Sequence, residues 1–214
     1  MNIKNTFENW VFKARYVFYV DRKHVNLNAC PVKPDNVKVE FFDFNTHTKN
    51  DLYNNLRQII PSNEYFLNRY TNRYDNNEHW DVIFLYYDNV PVGCYWILNI
   101  PHDNFIFDSF VHDSSQILVG SSYVVYKHRG KGFKKFMIKK AMEYIFENYK
   151  DKTPVSIVEK TNKSSAKSNF SMGFKIYGMN YLIKFLKRNI ISIFITRGKT
   201  RKIWLVPRYT QKLY

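Results

Sequence analysis

The chain is expected to fold as an α/β (α+β) protein, with one twisted mixed sheet, mostly antiparallel, and helices on its faces. Three observations predict this. Antiparallel-type strand runs dominate the first 126 residues, and the remainder alternates strand, helix, strand, helix, strand. Hydrophobic residues make up 45% of the 214, enough for one sizeable core. Glycine and proline number only 7 each, so no low-complexity linker divides the chain.

The elements follow in order. Residues 1–35 read as an N-terminal extension packed on a domain formed by residues 36–214. Within the extension, residues 7–13 suggest a helical turn and residues 16–20 a strand. Val37, Val39 and Phe41 alternate with polar residues, the period of a half-buried strand. Leu52, Leu56 and Ile59 or Ile60 fall on one face of a helix over residues 51–60, and residues 63–70 suggest a second helix capped by Ser62. Residues 80–86 and 92–98 form a hairpin, and residues 105–111 a loop or short strand. Residues 116–126 form the next strand, bulged at Gly120, Ser121 and Ser122.

Residues 131–149 have helical periodicity. Phe133, Phe136, Met137, Ala141, Tyr144 and Ile145 recur at three- and four-residue steps, leaving Lys134, Lys135, Lys139 and Glu143 for the outer face. Residues 155–158 are a buried strand and residues 164–172 a short helix. Residues 174–185, 190–195 and 203–206 supply terminal strands, with a turn at Gly198 between the last two.

Charge is unevenly distributed. The net charge is +15, and residues 160–214 hold 13 Lys and Arg and no acid. A field of this kind draws anions: coenzyme phosphates, a phosphorylated acceptor, nucleic acid or an acidic membrane surface. Cys30 and Cys94 lack metal-ligand spacing and read as reduced thiols of a cytoplasmic protein, and no metal is expected. Lys13 and Arg15 interrupt the apolar run of residues 7–20, which excludes a signal peptide reading. Residues 181–195 are too short and too charged to span a bilayer.

The most informative stretch is residues 123–133. A β-type run stops at Lys127, His128, Arg129, Gly130, Lys131 and Gly132, and the long helix starts at once. Glycines let a ligand approach the backbone, and the unpartnered first N–H groups of the helix with its dipole make an anion site suited to pyrophosphate. The core Arg129-Gly130-Lys131-Gly132 resembles the coenzyme A loop of the GNAT superfamily of acyl-CoA-dependent N-acyltransferases. Lys127 stands where that pattern has Gln or Arg. The likeness continues through the strand at residues 155–158, Asn162 and the pair Gly173-Phe174, and more weakly through the turn at residues 87–93. It covers about residues 80–177.

The resemblance implies a single GNAT-like domain in which the strand ending near Tyr126 and the strand ending near Glu159 splay apart to admit acetyl-CoA. It implies that residues 127–133, through Phe133, hold the pyrophosphate. Val124 and Val125 would offer backbone groups to the pantetheine arm, one N–H near Val124 facing the thioester oxygen, with Asn162 and Ser165 completing the coenzyme site. A general-acid Tyr often follows the asparagine by seven residues in that family, and Asn169 stands there instead.

Candidate proton-transfer residues are Glu159, the last acid of the chain, and His112, whose unperturbed pKa suits the task. An ion pair of Glu159 with a nearby lysine is the competing reading, as a solvent-exposed loop position is for His112. The expected activity is transfer of an acetyl group to a primary amine on an anionic small molecule, such as a nucleotide-linked amino sugar. The alternatives are a protein or aminoacyl-tRNA acceptor, or a catalytically degenerate module that binds nucleic acid or a membrane through its basic C-terminal quarter.

Overall fold

The computed structural model describes residues 10–30, 36–42, 46–60, 67, 80–107, 109–185, 188–196 and 201–205. Strand β1 (Trp10–Tyr19) is followed by a short 3-10 turn (Leu27–Ala29), β2 (Val37–Phe42) and helix α1 (Lys49–Ile59). Next come β3 (Trp80–Tyr87), β4 (Val90–Asn99), the small pair β5 (Phe105–Phe107) and β6 (Phe110–His112), and β7 (Gln116–Val124). A second 3-10 turn (Tyr126–His128) leads into α2 (Phe133–Asn148), β8 (Thr153–Glu159), α3 (Lys163–Ser171), β9 (Lys175–Phe185), β10 (Arg188–Thr196) and β11 (Arg201–Leu205). The helical turn expected over residues 7–13 is overturned where that stretch is described, because residues 10–13 belong to strand β1 and pair with β9. The helix expected over residues 63–70, apart from Leu67, and the Gly198 turn lie outside the described residues.

Nine strands form one sheet in the order β11-β10-β9-β1-β8-β7-β4-β3-β2, and β5 and β6 pair separately. All neighbours in the large sheet are antiparallel except β7 and β8. Strand β1 is placed inside this sheet, between β8 and β9, with pairing along its whole length.

Alternation of side chains across the strands divides the interior into two layers. Ile83, Leu85, Tyr95, Ile97 and Val119 meet Phe136, Met137, Ala141 and Ile145 of α2 and Ala166 of α3 on one face. Val82, Phe84, Cys94, Trp96 and Leu98 meet Leu52, Leu56 and Ile59 of α1 on the other. Because β3 and β4 are covered on both faces, their sequences are nearly continuous apolar runs. Helix α1 starts at Thr48, whose hydroxyl accepts from Asp51 N while the Asp51 carboxylate accepts from Thr48 N, a reciprocal cap.

The opening at the centre of the sheet has a simple cause. Strands β7 and β8 pair only over Gln116–Thr153, Ile117–Pro154 and Leu118–Val155. Beyond that point each keeps its outer partner: β7 stays on β4 as far as the Val124–Gly93 pair, and β8 stays on β1 as far as the Glu159–Arg15 pair. The expected bulge lies where the strands part. Trp96 opposes Gly120 and Cys94 opposes Tyr123, so β7 carries one extra residue there. Gly120 and Ser121 have φ of 151° and 46°. A bulge bends its strand and increases its twist, which carries β7 away from β8.

Candidate functional site

The gap between β7 and β8 leads to two adjoining cavities. The larger, about 610 Å³, runs along the end of β7, the turn before α2 and the first turns of α2 and α3. The smaller, about 250 Å³, lies between the β7 bulge and the last residues of β8. Ser122, Lys134, Asn162 and Ser165 line both and mark the junction.

The larger cavity is built for an anion. Gly130 and Gly132 have φ of 81° and 80°, a region glycine enters without a Cβ penalty. A Cβ at Gly130 would meet nothing within 4 Å, so the turn faces open space. The three described helices differ at their starts. Thr48 caps α1 and Asn162 caps α3 by accepting from Ser165 N at 3.1 Å, whereas α2 begins at Gly132 with no side-chain cap. Its first-turn N–H groups and the positive end of its dipole are left to a ligand. His128, Arg129, Lys134, Lys135 and Lys167 line this cavity, and no Asp or Glu among the described residues does.

The expected coenzyme residues separate into two groups. Val124, His128, Arg129, Gly130, Gly132, Phe133, Asn162 and Ser165 line the larger cavity. Three others do not. Val125 N donates to Val92 O at 2.9 Å, which ties it to β4. Lys127 is exposed. Lys131 turns back over the Tyr87 ring, with Nζ 4.9 Å from its centre. Arg129 is held at the rim, its Nε donating to Val124 O at 3.0 Å and its guanidinium over Tyr123 and Tyr126. Desolvation, then the neighbouring Lys131 and Lys127, holds the His128 pKa below its ordinary value, so the ring is neutral at pH 7.

Lys134 is the main correction to the sequence reading, which put it on the outer face of α2. It is the second residue of that helix, and helical side chains lean toward the N-terminus. Its Nζ therefore swings into the cleft and donates to Ser165 Oγ at 2.7 Å. Burial pulls its pKa down from 10.5 to about 8. A lysine in the first turn beyond a Gly-x-Gly anion loop was the available signal.

The candidate proton-transfer residues also separate. Glu159 lines the smaller cavity and is paired with Lys13 Nζ at 2.5 Å, both side chains remaining partly exposed. The ion-pair reading is thus realised, and it coexists with a position lining the smaller cavity. His112 lines neither cavity. It is 1% exposed, against the Phe110 ring and with Nδ1 3.2 Å from Gln116 Oε1. Gln116 begins β7, roughly 25 Å from its far end at the usual rise per residue. The reason lies in the β5–β6 pair, which buries the histidine at the closed end of the strands. Asn169 is 2% exposed and lines the smaller cavity, and its Nδ2 has no hydrogen-bond partner among the described residues. Tyr177 lies on β9 and is 47% exposed, outside both cavities.

The basic C-terminal quarter is spread out. Lys167 lines the larger cavity, while Lys175, Lys184 and Lys202 lie on β9 and β11 and line neither. Among the described residues no helix is long and apolar enough to cross a membrane.

No protein-family model matches the chain, and no curated protein matches it in sequence. Solved structures do match. A tandem GNAT protein from the clavulanic acid biosynthesis pathway superposes with a TM-score of 0.57 and 13% identity, over 78% of this chain and 51% of that one. A GCN5-related N-acetyltransferase from Kribbella flavida gives 0.55 and 10%, over 83% and 61%. A GCN5-related glucosamine N-acetyltransferase region of a fungal multi-domain β-N-acetylglucosaminidase gives 0.53 and 13%, over 86% and 22%. The chain spans between a fifth and two thirds of the length of these three structures. The mixed sheet parted between β7 and β8, with a glycine turn opening α2 beside the gap, therefore has the fold of the GNAT acetyltransferases.

Proposed function

We propose that this protein is an N-acetyltransferase that moves an acetyl group from acetyl-CoA to a primary amine on an anionic small molecule, such as a nucleotide-linked amino sugar. The observation that carries the reading is the cationic cavity at the uncapped start of α2, lined by no acid among the described residues and continuous with the gap between β7 and β8. Gly130, Gly132 and the first-turn N–H groups of α2 would hold the pyrophosphate, with Arg129, Lys135 and Lys167 adding charge. Beyond Leu118 the inner edge of β7 has no β8 partner, which leaves its backbone to the pantetheine arm. Bound there, acetyl-CoA supplies an activated acyl carbon. Asn162 shapes the junction as cap of α3. The fungal relative, a glucosamine N-acetyltransferase region, favours an amino-sugar acceptor.

Glu159 is the base of this scheme. Its carboxylate lines the smaller cavity, where it pairs with Lys13. Glu159→Gln is expected to lower turnover at neutral pH about 10²-fold. Its melting temperature should move little, because a partly exposed ion pair contributes about 0–1 kcal/mol. Initial rates and melting curves on the same preparation check both. An unchanged rate would assign the base to water.

The acceptor is tested by comparing a free 4-amino sugar with its nucleotide diphosphate form at low and high salt. The nucleotide form should be used far better, and salt should raise its KM, since exposed charges are screened over about 8–10 Å at physiological ionic strength. Equal rates on both with no salt effect would remove the anionic acceptor and leave a neutral amine, a protein or an aminoacyl-tRNA in its place.

A further inference from the structure

The N-acetyltransferase reading leaves one role without an owner. A thioester that loses its acyl group leaves as a thiolate, and the position where a tyrosine hydroxyl would protonate it holds Asn169, whose amide cannot give up a proton at neutral pH. Of the four residues at the junction of the two cavities, Ser122, Asn162, Ser165 and Lys134, only Lys134 has a proton that can be released near neutrality. The junction is where the larger cavity meets the smaller one, which Glu159 lines.

Resting on that reading, we propose that Lys134 is the proton donor of this site and that its ammonium meets the departing sulfur. The geometry supports this from three directions. Lys134 Nζ is aimed across the cleft and donates to Ser165 Oγ at 2.7 Å, which leaves donor capacity on an ammonium with three protons. Among the described residues no carboxylate lines the larger cavity, and Glu159 of the smaller one is paired with Lys13, so a negative charge arriving at the junction is a counter-charge for a part-buried cation. The Asn169 amide, buried and without a hydrogen-bond partner among the described residues, adds a second donor to the smaller cavity.

The step balances. The amine nitrogen bonds to the acyl carbon, the C–S bond breaks, and its electron pair stays on sulfur. Lys134 Nζ gives a proton to that sulfur, Glu159 takes the proton released by the amine, and solvent restores both residues. The titratable and charged groups that line the two cavities with Lys134 are Glu159 from β8, His128 and Arg129 from the turn, Lys135 on α2, Lys167 from α3, Tyr95 from β4 and Tyr123 from β7. His128 and Tyr95 stay neutral near pH 8, because desolvation lowers the pKa of the first and burial raises that of the second. Burial brings Lys134 itself to about 8. A donor must be protonated, so its contribution is complete below that pH and is lost as pH rises through it.

The test uses coenzyme A bound to the full chain and needs no turnover for its first readout. The ultraviolet absorbance of the thiolate, followed against pH, should show the bound thiol ionising about 1 unit or more below free coenzyme A in the wild type. Lys134→Met should abolish that shift. Lys134→Arg should keep it, because a fixed positive charge remains. In turnover, Lys134→Met and Lys134→Arg should both lose about 10²-fold in kcat, since neither side chain can donate a proton. Both should also lose the fall in kcat near pH 8. A thiol that titrates alike in wild type and Lys134→Met, or an alkaline limb that survives Lys134→Arg, overturns the proposal and leaves the acetyltransferase reading standing. Acetyl found on Lys134 itself by mass spectrometry after incubation with acetyl-CoA would make the residue a nucleophile and overturn it too. Failure of the wild type to bind coenzyme A would overturn both.

Discussion

Gly130→Asp is expected to abolish the thermal stabilisation that acetyl-CoA gives the wild-type protein. A ligand that binds only the folded state at 100 times its Kd stabilises by about 2.7 kcal/mol. For a chain of this size that corresponds to a rise of roughly 5–10 °C in melting temperature. The substitution should leave the fold intact, because a Cβ at Gly130 meets nothing within 4 Å and aspartate is among the residues that tolerate positive φ. It places a carboxylate in a cavity lined by Arg129, Lys134, Lys135 and Lys167 and, among the described residues, by no acid. There it pairs with the cations meant for phosphate and repels the phosphate itself. Gly130→Asn has the same size and backbone demand without the charge, and should retain part of the shift. Melting curves of the three proteins with and without acetyl-CoA decide the matter. No shift in the wild type, or equal shifts in the two variants, would remove the phosphate cradle from the loop.

The loop and its helix were legible because their signals are local. A β-run broken by Gly-x-Gly and followed by apolar residues at helical spacing fixes strand, turn and helix without knowledge of the rest. The β3–β4 hairpin and the β7 bulge were legible for the same reason. What the sequence did not reveal depends on partners distant in the chain. The central place of β1 arises because β8 and β9 both offer it an edge, and its pairs with Glu159 and Asn180 join residues well over a hundred positions apart. Lys134 looks like a surface lysine until α3 comes within reach of it. The charge total of the last quarter likewise said nothing about position: Lys167 reaches the cavity because α3 borders it, while Lys175, Lys184 and Lys202 follow β9 and β11 outward.

Gly173→Ala should be among the most destabilising single-methyl changes in this chain, and comparison with Gly130→Ala shows why. The two glycines have nearly the same backbone conformation, φ of 88° and 81°. Each alanine therefore carries a similar left-handed penalty, of order 1 kcal/mol. Their surroundings differ. At Gly173 a Cβ would lie 2.0 Å from His24 O, 3.0 Å from His24 C and 3.1 Å from Asn26 N, all backbone atoms. That backbone cannot simply step aside. His24 N and Val25 N both donate to Asp21 O, and Asn26 N donates to Met172 O at 3.0 Å, directly beside the glycine. Gly173→Ala must break this docking of the chain after β1 onto the end of α3, with an expected loss of about 3 kcal/mol or more, in the range of overpacking added to strain. The melting temperature should fall by roughly 10 °C, against a few degrees for Gly130→Ala. The difference between the two variants isolates the steric part from the shared backbone part. Equal losses would mean that residues 21–26 do not press on Gly173 and that this glycine answers only to its φ.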